Sequence, residues 1–519
     1  MKSKKYFVAL CSVCLLFVGC DKDFVEINSN PYVIGKLNPG NLFANAVRQT
    51  DPGSWEVEQT ITQQFVNAYN LGATAGPNFN TDADNFNQNK WNNVYPNSIK
   101  LLVQAIELAQ NQPERVNLMS MMRIWKAYVF MTLTDTYADV PYFDAGKAAI
   151  DGNFRPVYDD DEAIYTDLYN EIKSATDALD PAADFVSNDL IYPTATTAAL
   201  QVPLWKKLGN SLLLRLGMRY SKVDPTLAQT RVVEAVSRGV MQTNADNAYL
   251  TYASATYNNP MNNGPRAINT YFYYVAEPFV DYLKATNDPR AKYMIGIYAN
   301  PTSATTTTPD VTLANQFGFP VGFDNSTIQD EPSYRGAMGG GMNYSQLNFN
   351  VLGNATAPVF YVTNSQVKLL LAEATKRGWI SSEGTVQELY EEGIRASMDD
   401  WAKFPNTTAI PSGDQDAYLA ETDVAFDDTR ALELINTQYW VSNVANGPEV
   451  WANFRRSGFP VLSRNTYNDN LIGNGSLDGF IHRIPYPNGE ALNNEENFFA
   501  ADAAIGGDNL VSRVFWDVP

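Results

Sequence analysis

Few side chains in this sequence could carry out nucleophilic or metal chemistry. The chain has a single histidine, His482, and three cysteines, Cys11, Cys14 and Cys20, which all lie within the first twenty residues. One histidine cannot form a multi-histidine zinc site, and a Ser-His-Asp triad would depend on His482 alone. Beyond Cys20 there is no cysteine for thiol chemistry or for a disulfide framework. We therefore predict a structural role for His482, which begins the motif HRIPYP.

Adjacent carboxylates are the remaining candidates for catalysis. Glycoside hydrolysis uses two carboxylates that flank the scissile bond, and the chain offers the pairs Asp399-Asp400 and Asp427-Asp428. Consecutive residues of a helix point about 100° apart, so the two members of each pair do not converge on one bond. Roles on a helix surface or in helix capping explain both pairs, and the sequence predicts that the protein is not an enzyme.

A run of three aspartates, from Asp159 to Asp161, has two interpretations. Calcium takes oxygen ligands, but no Asp-rich loop of the chain has the spacing of an EF-hand. Helix capping is favoured, because Asp159 with Glu162 three residues later fits a capping box, and acidic residues suit the positive end of the helix dipole. We predict no metal and no cofactor, and structural calcium stays open as an alternative that the sequence does not support.

The first twenty residues, MKSKKYFVALCSVCLLFVGC, have the pattern of a secretory signal. Their apolar run is too short to span a bilayer core of about 30 Å as a helix. The run ends in LFVGC, which resembles a bacterial lipobox, and the next residues, DKD, resemble the surface-export signal of Bacteroidota lipoproteins. We predict a signal peptide over residues 1–19, a lipidated Cys20 and a tether that extends to residue 40. The alternative is an ordinary signal peptide that is cleaved elsewhere.

The composition excludes several classes of protein. With 519 residues and 45% hydrophobic content, the chain can bury a large core and is not a disordered protein. Its 37 basic and 57 acidic side chains give a formal charge of −20, which repels phosphate backbones and argues against a nucleic-acid partner. Only 18% of the residues are charged, below the roughly 25% of an average soluble protein. Much of the surface must therefore be neutral and polar.

Apolar residues at helical spacing dominate the chain. Between residues 115 and 134 they define one buried face, and this helix is expected to end near residues 139–141. The segment from Trp205 to Leu212 fits the tetratricopeptide pattern W-x2-L-G, in which Gly209 lets two helices approach closely. These patterns predict a mostly α fold of paired helices. Further helices are predicted at residues 164–179, 365–377, 386–401 and 428–445.

The pattern changes between about residues 249 and 358. Helical spacing survives there only around residues 278–283, and glycines and aromatic residues replace charged ones. Long irregular segments of compact proteins are commonly functional. We predict a loop-rich insertion that its aromatic residues keep ordered. These aromatic residues are Phe317, Phe319, Phe323, Tyr334, Tyr344 and Phe349.

Several sequence blocks, taken in order, resemble one family. Two of them are KAYVFMTLTDTYADVPY at residues 126–142 and EVWANFRRSGFPVL at residues 449–462. In order and spacing the blocks are similar to the SusD/RagB outer-membrane nutrient-binding lipoproteins, with the SusD-like branch as the closest. The resemblance spans nearly the whole chain. The other blocks are KWNNVY (90–95), WKKLGNSLLLRLGMR (205–219), NDPR (287–290), LLLAEATKRGW (369–379), YEEGIRASMDDW (390–401) and HRIPYPNGEALNNEENF (482–498).

The resemblance implies an architecture and a partner. It implies a mostly α scaffold of about four tetratricopeptide-like helix pairs, with a loop-rich face that carries the ligand site. Residues 41–519 would form this single domain, and the loop-rich insertion would lie at about 249–358. The implied partner is a SusC-like TonB-dependent outer-membrane barrel. The lipid-anchored, surface-exposed protein would close this barrel as a lid and deliver its ligand for import.

Glycan capture is the favoured function. Sugars need flat aromatic platforms beside amide, carboxylate or guanidinium groups, and the chain has 9 Trp, 29 Tyr and 26 Phe, although most single aromatics are expected in the core. The alternatives are an oligopeptide ligand, as in the RagB-like branch, and a lid with no ligand affinity of its own. For Trp91 a helix-packing role is an equal alternative. The candidate ligand-binding residues are Phe79, Asn80, Trp91, Tyr257, Tyr334, Arg335 and Tyr344.

Two charged motifs are predicted to be structural. Glu373 lies on an otherwise apolar helix and is expected to pair in the interior with an arginine such as Arg395 or Arg455. Arg455 and Arg456 could clamp a carboxylate or phosphate. Structural pairing is favoured, because a motif shared by the whole family cannot encode a ligand that varies among its members.

Overall fold

Helices built on the apolar faces found in the sequence make up most of the chain. The computed structural model describes residues 37–50, 56–68, 76–253, 257–262, 273–465, 467 and 479–519. Residues 39–519 form one compact unit, which begins two residues before the predicted start of the folded body. The helices of eight or more residues are α1 (Pro39–Gln49), α2 (Asp84–Val94), α3 (Lys100–Gln110), α4 (Val116–Tyr137), α5 (Asp161–Ala178), α6 (Ala198–Arg219), α7 (Pro225–Ser237), α8 (Glu277–Ala285), α9 (Asn364–Lys376), α10 (Val386–Asp400), α11 (Ser412–Leu419), α12 (Ala431–Ser442), α13 (Gly447–Ser457) and α14 (Glu495–Ala504).

The strands are short: β1 (Phe65–Asn67), β2 (Ala248–Leu250), β3 (Tyr273–Val275), β4 (Ile295–Gly296), β5 (Ala337–Met338), β6 (Gly341–Met342), β7 (Gln346–Leu347) and β8 (Val359–Val362). They pair antiparallel, β1 with β3, β2 with β8, β4 with β7 and β5 with β6. Several of these pairs join the loop-rich insertion to itself or to distant segments. The helix that the sequence predicts within the insertion is α8.

Consecutive helices pack against each other as pairs. The pairs are α4 with α5, α6 with α7, α9 with α10 and α12 with α13, and contacts of α5 with α6 and of α9 with α12 join them. Leu118, Trp125 and Leu133, which mark the predicted apolar face of α4, are buried. Burial of such faces stabilises the scaffold, since each large apolar side chain contributes about 1.5–3 kcal/mol. The prediction of a mostly α fold of paired helices is confirmed.

Helices α5 and α6 approach each other closely at Gly209. A Cβ atom at Gly209 would lie 2.1 Å from Oγ1 and 3.2 Å from Cβ of Thr176. Such distances are far below van der Waals contact, so α6 reaches its packed position only because residue 209 has no side chain. The close approach predicted from the tetratricopeptide pattern is confirmed.

A buried charged pair joins α9 to α13. Glu373 accepts two hydrogen bonds of 2.7 Å from Arg456, one to each carboxylate oxygen. Arg377, one turn further along α9, binds the same carboxylate at 2.8 Å. The interior pairing of Glu373 is confirmed, but the named partner Arg395 was wrong, because Arg395 pairs with Asp416 at the surface.

Arg455, the other expected partner of Glu373, was also wrong, because its side chain leaves α13 in a different direction from that of Arg456. Arg455 has its guanidinium carbon 3.8 Å from the centroid of the Trp451 ring. It donates to the carbonyl oxygens of His482 and Asp135. His482 is itself buried, with Nδ1 2.6 Å from Oδ2 of Asp517. Both Arg455 and His482 are thus structural, as predicted.

Candidate functional site

Amide side chains join three loops that lie far apart in the sequence. Asn78 Nδ2 donates to the carbonyl oxygen of Phe323 at 2.8 Å, and Asn78 Oδ1 accepts from the backbone of Gly322 at 3.0 Å. Asn465 Nδ2 donates to the carbonyl oxygen of Asn78, and Asn80 Nδ2 donates to that of Asn465, both at 2.8 Å. We give the name loop face to the surface formed by residues 76–81, 317–344 and 463–465.

A small cavity opens on the loop face between these segments. Its space, counted together with the open mouth, is about 260 Å³, and it is lined by Asn80, Val321, Asn465 and Phe480, among others. The nearby ring of Phe79 packs edge-on against Tyr467 with a centroid distance of 5.1 Å. The hydrogen bonds of the asparagine side chains therefore hold the cavity walls together across the three loops.

Stacked aromatic rings form the base of the loop face. Tyr274 and Phe319 stack with centroids 4.9 Å apart, and Tyr344 meets Phe319 edge-on at 5.0 Å. The rings of Phe323 and Tyr334 pack against this base and remain half-buried. A rigid base of this kind presents the outer rings in fixed positions, which is what an aromatic platform for a ligand needs.

Two cations lie over the half-buried ring of Phe317. The guanidinium carbon of Arg335 is 3.2 Å from the ring centroid, and Lys284 Nζ is 4.2 Å from it. The ring attracts both charges through its quadrupole. Lys284 also donates to the carbonyl oxygen of Gln316 at 2.7 Å. Arg335 is exposed, so its remaining N–H groups can reach a ligand.

Burial shifts two titratable groups of this region, Tyr344 and Glu277, toward their neutral forms. It raises the pKa of Tyr344, which accepts a hydrogen bond from the backbone of Arg335. Burial, together with the charges of Asp281 and Glu331, also raises the pKa of Glu277 on α8. The loop face thus combines ring platforms, amides and cationic donors, which can stack against and hydrogen-bond to a hydroxylated ligand.

The structure brings five of the seven predicted ligand residues to the loop face. Phe79, Asn80 and Tyr344 are buried there at 2–3% exposure, so they support the surface. Tyr334 is half-buried and Arg335 is exposed, so these two reach solvent. The ligand role of the set stays a prediction.

Trp91 belongs to the main core instead, and Tyr257 is half-buried and packs against that core. Trp91, only 6% exposed, stacks on Tyr158 at 5.8 Å and meets Tyr137 edge-on at 5.3 Å. This environment agrees with the helix-packing alternative for Trp91. Tyr257 stacks on Tyr252 at 4.7 Å and carries the guanidinium of Arg48 at 4.1 Å.

Comparison with known proteins places this scaffold and loop face in a family. Residues 31–487 match the model of a SusD-like family that is described as "Starch-binding associating with outer membrane". The chain belongs to the SusD-like family. The assignment made from the ordered sequence blocks is therefore confirmed, and with it the expected fold class. Among curated proteins, no sequence matches the chain.

Solved structures share the SusD-like fold. One is a chitin-binding protein with 26% identity and a TM-score of 0.76, aligned over 93% of this chain and 100% of its own. A SusD-like protein from Bacteroidetes, AC2a, gives the same identity, TM-score and coverage. A chitin-binding SusD homologue from Flavobacterium johnsoniae has 21% identity and a TM-score of 0.72, over 92% of this chain and 98% of its own, and shows likeness of fold.

The adjacent carboxylates of this SusD-like chain have separate partners. Asp399 accepts from Gln415 at 2.9 Å, whereas Asp400 accepts from Asn247 at 2.8 Å. In the second pair, Asp427 accepts from the backbone of Thr429, and Asp428 binds Lys376. The two carboxylates of each pair therefore bind different groups.

The three-aspartate run caps α5, but with a different residue from the one expected. The N-cap is Asp160, which accepts from the backbone of Ala163 at 2.8 Å, so the predicted capping box of Asp159 with Glu162 was wrong. Asp159 instead accepts from the backbone of Tyr142. Capping requires an extended residue just before the first helical one, and the chain takes that conformation at Asp160.

Two further aspartates pack beside this cap. Carboxylate oxygens of Asp139, Asp160 and Asp161 lie within 4.8 Å of one another. Asp139 accepts from the backbone of Asp161, and Asp161 accepts from that of Phe515. Burial, opposed in part by these bonds, raises the pKa of Asp139 to about 6 and that of Asp161 to about 7.

Some residues of the loop face had no local signal in the sequence. The hydrogen bonds of Asn78 and Asn465 join residues 245 to 387 positions apart. Lys284 reaches Phe317 only because α8 lies beside the loop. Phe317 and Phe323 stand out as members of the aromatic-rich insertion, but their exposure is a tertiary property.

The predicted signal peptide, Cys20 and the tether up to residue 36 lie outside the described residues. In the part of the chain that the structure covers, no helix is both long and apolar enough to cross a membrane.

Proposed function

We propose that this SusD-like protein captures oligosaccharides on its loop face and passes them to a SusC-like TonB-dependent barrel of the outer membrane. The lipidated Cys20 anchors it at the cell surface, where it closes the barrel as a lid and performs no bond chemistry. The observation that carries this proposal is the match of residues 31–487 to a family described as starch-binding and associated with the outer membrane.

The chemistry of the loop face supports a saccharide ligand. Sugar rings have apolar C–H faces, which pack against aromatic rings, and hydroxyl groups, which pair with amides and guanidinium groups. Tyr334 and Phe323 supply the rings, and Arg335 supplies donors beside them. Buried amides hold the loops in place, so binding orders few further groups and retains more of its favourable free energy.

The similarity to a chitin-binding protein at 26% identity makes chitin oligosaccharides the first ligands to test. A neutral, N-acetylated chain suits a protein with a formal charge of −20, because it is not repelled by the acidic surface. Starch-derived malto-oligosaccharides are the second choice, from the description of the family.

Titration calorimetry with purified protein tests the proposal. We expect saturable heat with chitin or malto-oligosaccharides, and at least about tenfold weaker binding by Tyr334→Ala and Arg335→Ala, since hot-spot residues lose more than about 1.4 kcal/mol on truncation. Phe154→Ala, at an aromatic residue that is 79% exposed outside the loop face, is the matched control. Heat with a tryptic peptide mixture but not with either sugar would contradict the proposal.

A further inference from the structure

A second cavity lies where the ends of three helices meet strand β8. It is bounded by the first turn of α9, the last turns of α10 and α12, and the strand itself. The space between these elements, counted together with its open mouth, is about 640 Å³. Its lining includes Phe360, Asp400, Trp401, Phe404 and Asn446.

Aromatic rings form one wall of this cavity, which we call the aromatic wall (Trp401, Phe404 and Phe360). Trp401 stacks on Phe404 at 4.6 Å and on Tyr293 at 5.8 Å. Phe404 packs against Phe360 at 5.9 Å, and Phe360 packs against Tyr249, beyond the cavity lining, at 5.1 Å. Trp401 is buried, whereas Phe404 and Phe360 are half-buried. The aromatic wall therefore leads from the interior of the cavity to the protein surface.

Polar groups beside the aromatic wall have unused hydrogen-bonding capacity. The buried indoles of Trp125, Trp205 and Trp451 each donate to a protein oxygen, but among the described residues none accepts from Trp401 Nε1. Asn446 Nδ2 donates to the carbonyl oxygens of Phe360 and Tyr361 at 3.3 Å each. This leaves Asn446 Oδ1 as an acceptor.

The cavity presents no unbalanced charge. Of the described lining residues, Asp400 alone carries a charged side chain. Its carboxylate accepts from Asn247 at 2.8 Å, from Asn244 at 3.0 Å and from Lys403 at 3.0 Å. An anionic ligand would be repelled by Asp400, and a cationic one would have to compete with these three donors. A neutral ligand with both apolar and hydrogen-bonding surfaces fits best.

We propose that this cavity is a second saccharide site, which holds one end of a neutral oligosaccharide. The C–H face of a sugar ring packs on the half-buried rings of Phe404 and Phe360, a hydroxyl or acetamido oxygen accepts from Trp401 Nε1, and a hydroxyl donates to Asn446 Oδ1. The inference rests on the proposed function for the choice of saccharides as the ligand class. It differs from that function in location, because it uses α9, α10 and α12 and not the loop face.

Calorimetry with N,N′-diacetylchitobiose and with maltose tests the second site, using the purified protein and four variants. Trp401→Phe keeps the ring and removes the N–H, and Phe404→Leu shortens the aromatic wall at a half-buried position. Trp379→Phe, beyond the opposite end of α9, is the matched control. The double variant Tyr334→Ala/Arg335→Ala removes the loop-face platform.

We expect a binding event that survives in the loop-face double variant and in Trp379→Phe, and that weakens about fivefold or more in Trp401→Phe. Thermal unfolding of each variant shows whether the fold is retained, and Phe404→Leu replaces Trp401→Phe if the latter unfolds. A single event that is lost in the double variant and unchanged in Trp401→Phe and Phe404→Leu overturns the second site and leaves the proposed function standing. No heat from either sugar rejects both.

Discussion

Arg456 and Glu373 form a bidentate ion pair in the interior, with both side chains fully buried and two hydrogen bonds of 2.7 Å between them. The pair ties α13 to α9, the helices that belong to two different helix pairs. A buried charge of this kind is tolerated only while its partner is present.

Arg456→Met should destabilise the protein by about 3–5 kcal/mol, because it leaves the carboxylate of Glu373 buried with less compensation. Urea unfolding measures the loss. Arg395→Met, which removes an arginine paired with exposed Asp416, is the control and should cost less than about 1 kcal/mol. Equal losses in the two variants would show that the buried pair contributes no more than the surface pair.

The same pair should make stability fall in acid. Burial alone would raise the pKa of Glu373, but the charges of Arg456 and Arg377 outweigh it and lower the pKa to about 2. A lowered folded-state pKa gives stability that is present above the ordinary value of 4.5 and is lost as pH falls toward about 2. Unfolding free energies across this range should fall less steeply for Glu373→Gln, and parallel curves would refute the assignment.

Asp161 should have the opposite effect at higher pH. Burial raises its pKa from 3.8 to about 7, so the folded state favours the protonated form. Its contribution is fully present below 3.8 and is lost as pH rises to about 7, which lowers the unfolding free energy over that interval. Asp161→Asn keeps an oxygen for the backbone of Phe515 and should flatten the profile there. An unchanged slope would contradict the raised pKa.

Gly209→Ala should destabilise the protein by about 1–3 kcal/mol, because its methyl group would overlap Thr176 and force α5 and α6 apart. Gly413→Ala is the control, since no atom lies within 4 Å of a Cβ atom there. Glycine within a helix costs roughly 0.5–1 kcal/mol relative to alanine, so this control should be neutral or stabilising. Thermal unfolding of the two variants distinguishes close packing from helix propensity.

Asn78→Ala should weaken saccharide binding more than it weakens the fold. Asn78 joins residues 322 and 323 to residue 465 through side-chain and backbone hydrogen bonds, so its loss frees two loops of the loop face. Trp91→Phe, in the core, should leave the affinity unchanged. Calorimetry with the best saccharide, and unfolding of the same samples, gives both quantities. If Trp91→Phe lost affinity and Asn78→Ala did not, Trp91 would be assigned to the ligand site.

The sequence predicts the helical scaffold well, because helical periodicity is a local property. The buried face of α4 and the close approach at Gly209 follow from residues within a few turns. The partner of Glu373 did not follow in this way. Arg455 and Arg456 are adjacent, and only the rotation of α13 relative to α9 decides which of them faces Glu373.

The candidate site could be predicted only in part, for the same reason. Aromatic enrichment pointed to Tyr334 and Tyr344, which the structure places together on the loop face. It could not separate them from Trp91, because exposure depends on what other segments cover a ring. Tyr137, Tyr158 and Tyr486 surround Trp91 from positions up to several hundred residues away.

The hydrogen bonds between Asn78, Asn80 and Asn465 also indicate when the loop face forms during synthesis and folding. A chain is synthesised from its N-terminus, so residues 76–81 emerge long before residue 465, which lies 387 positions after Asn78. Contacts of such high sequence separation form late, since the intervening chain must first be brought together. The loop face is therefore among the last surfaces to form, and it cannot be complete before residue 465 has been synthesised.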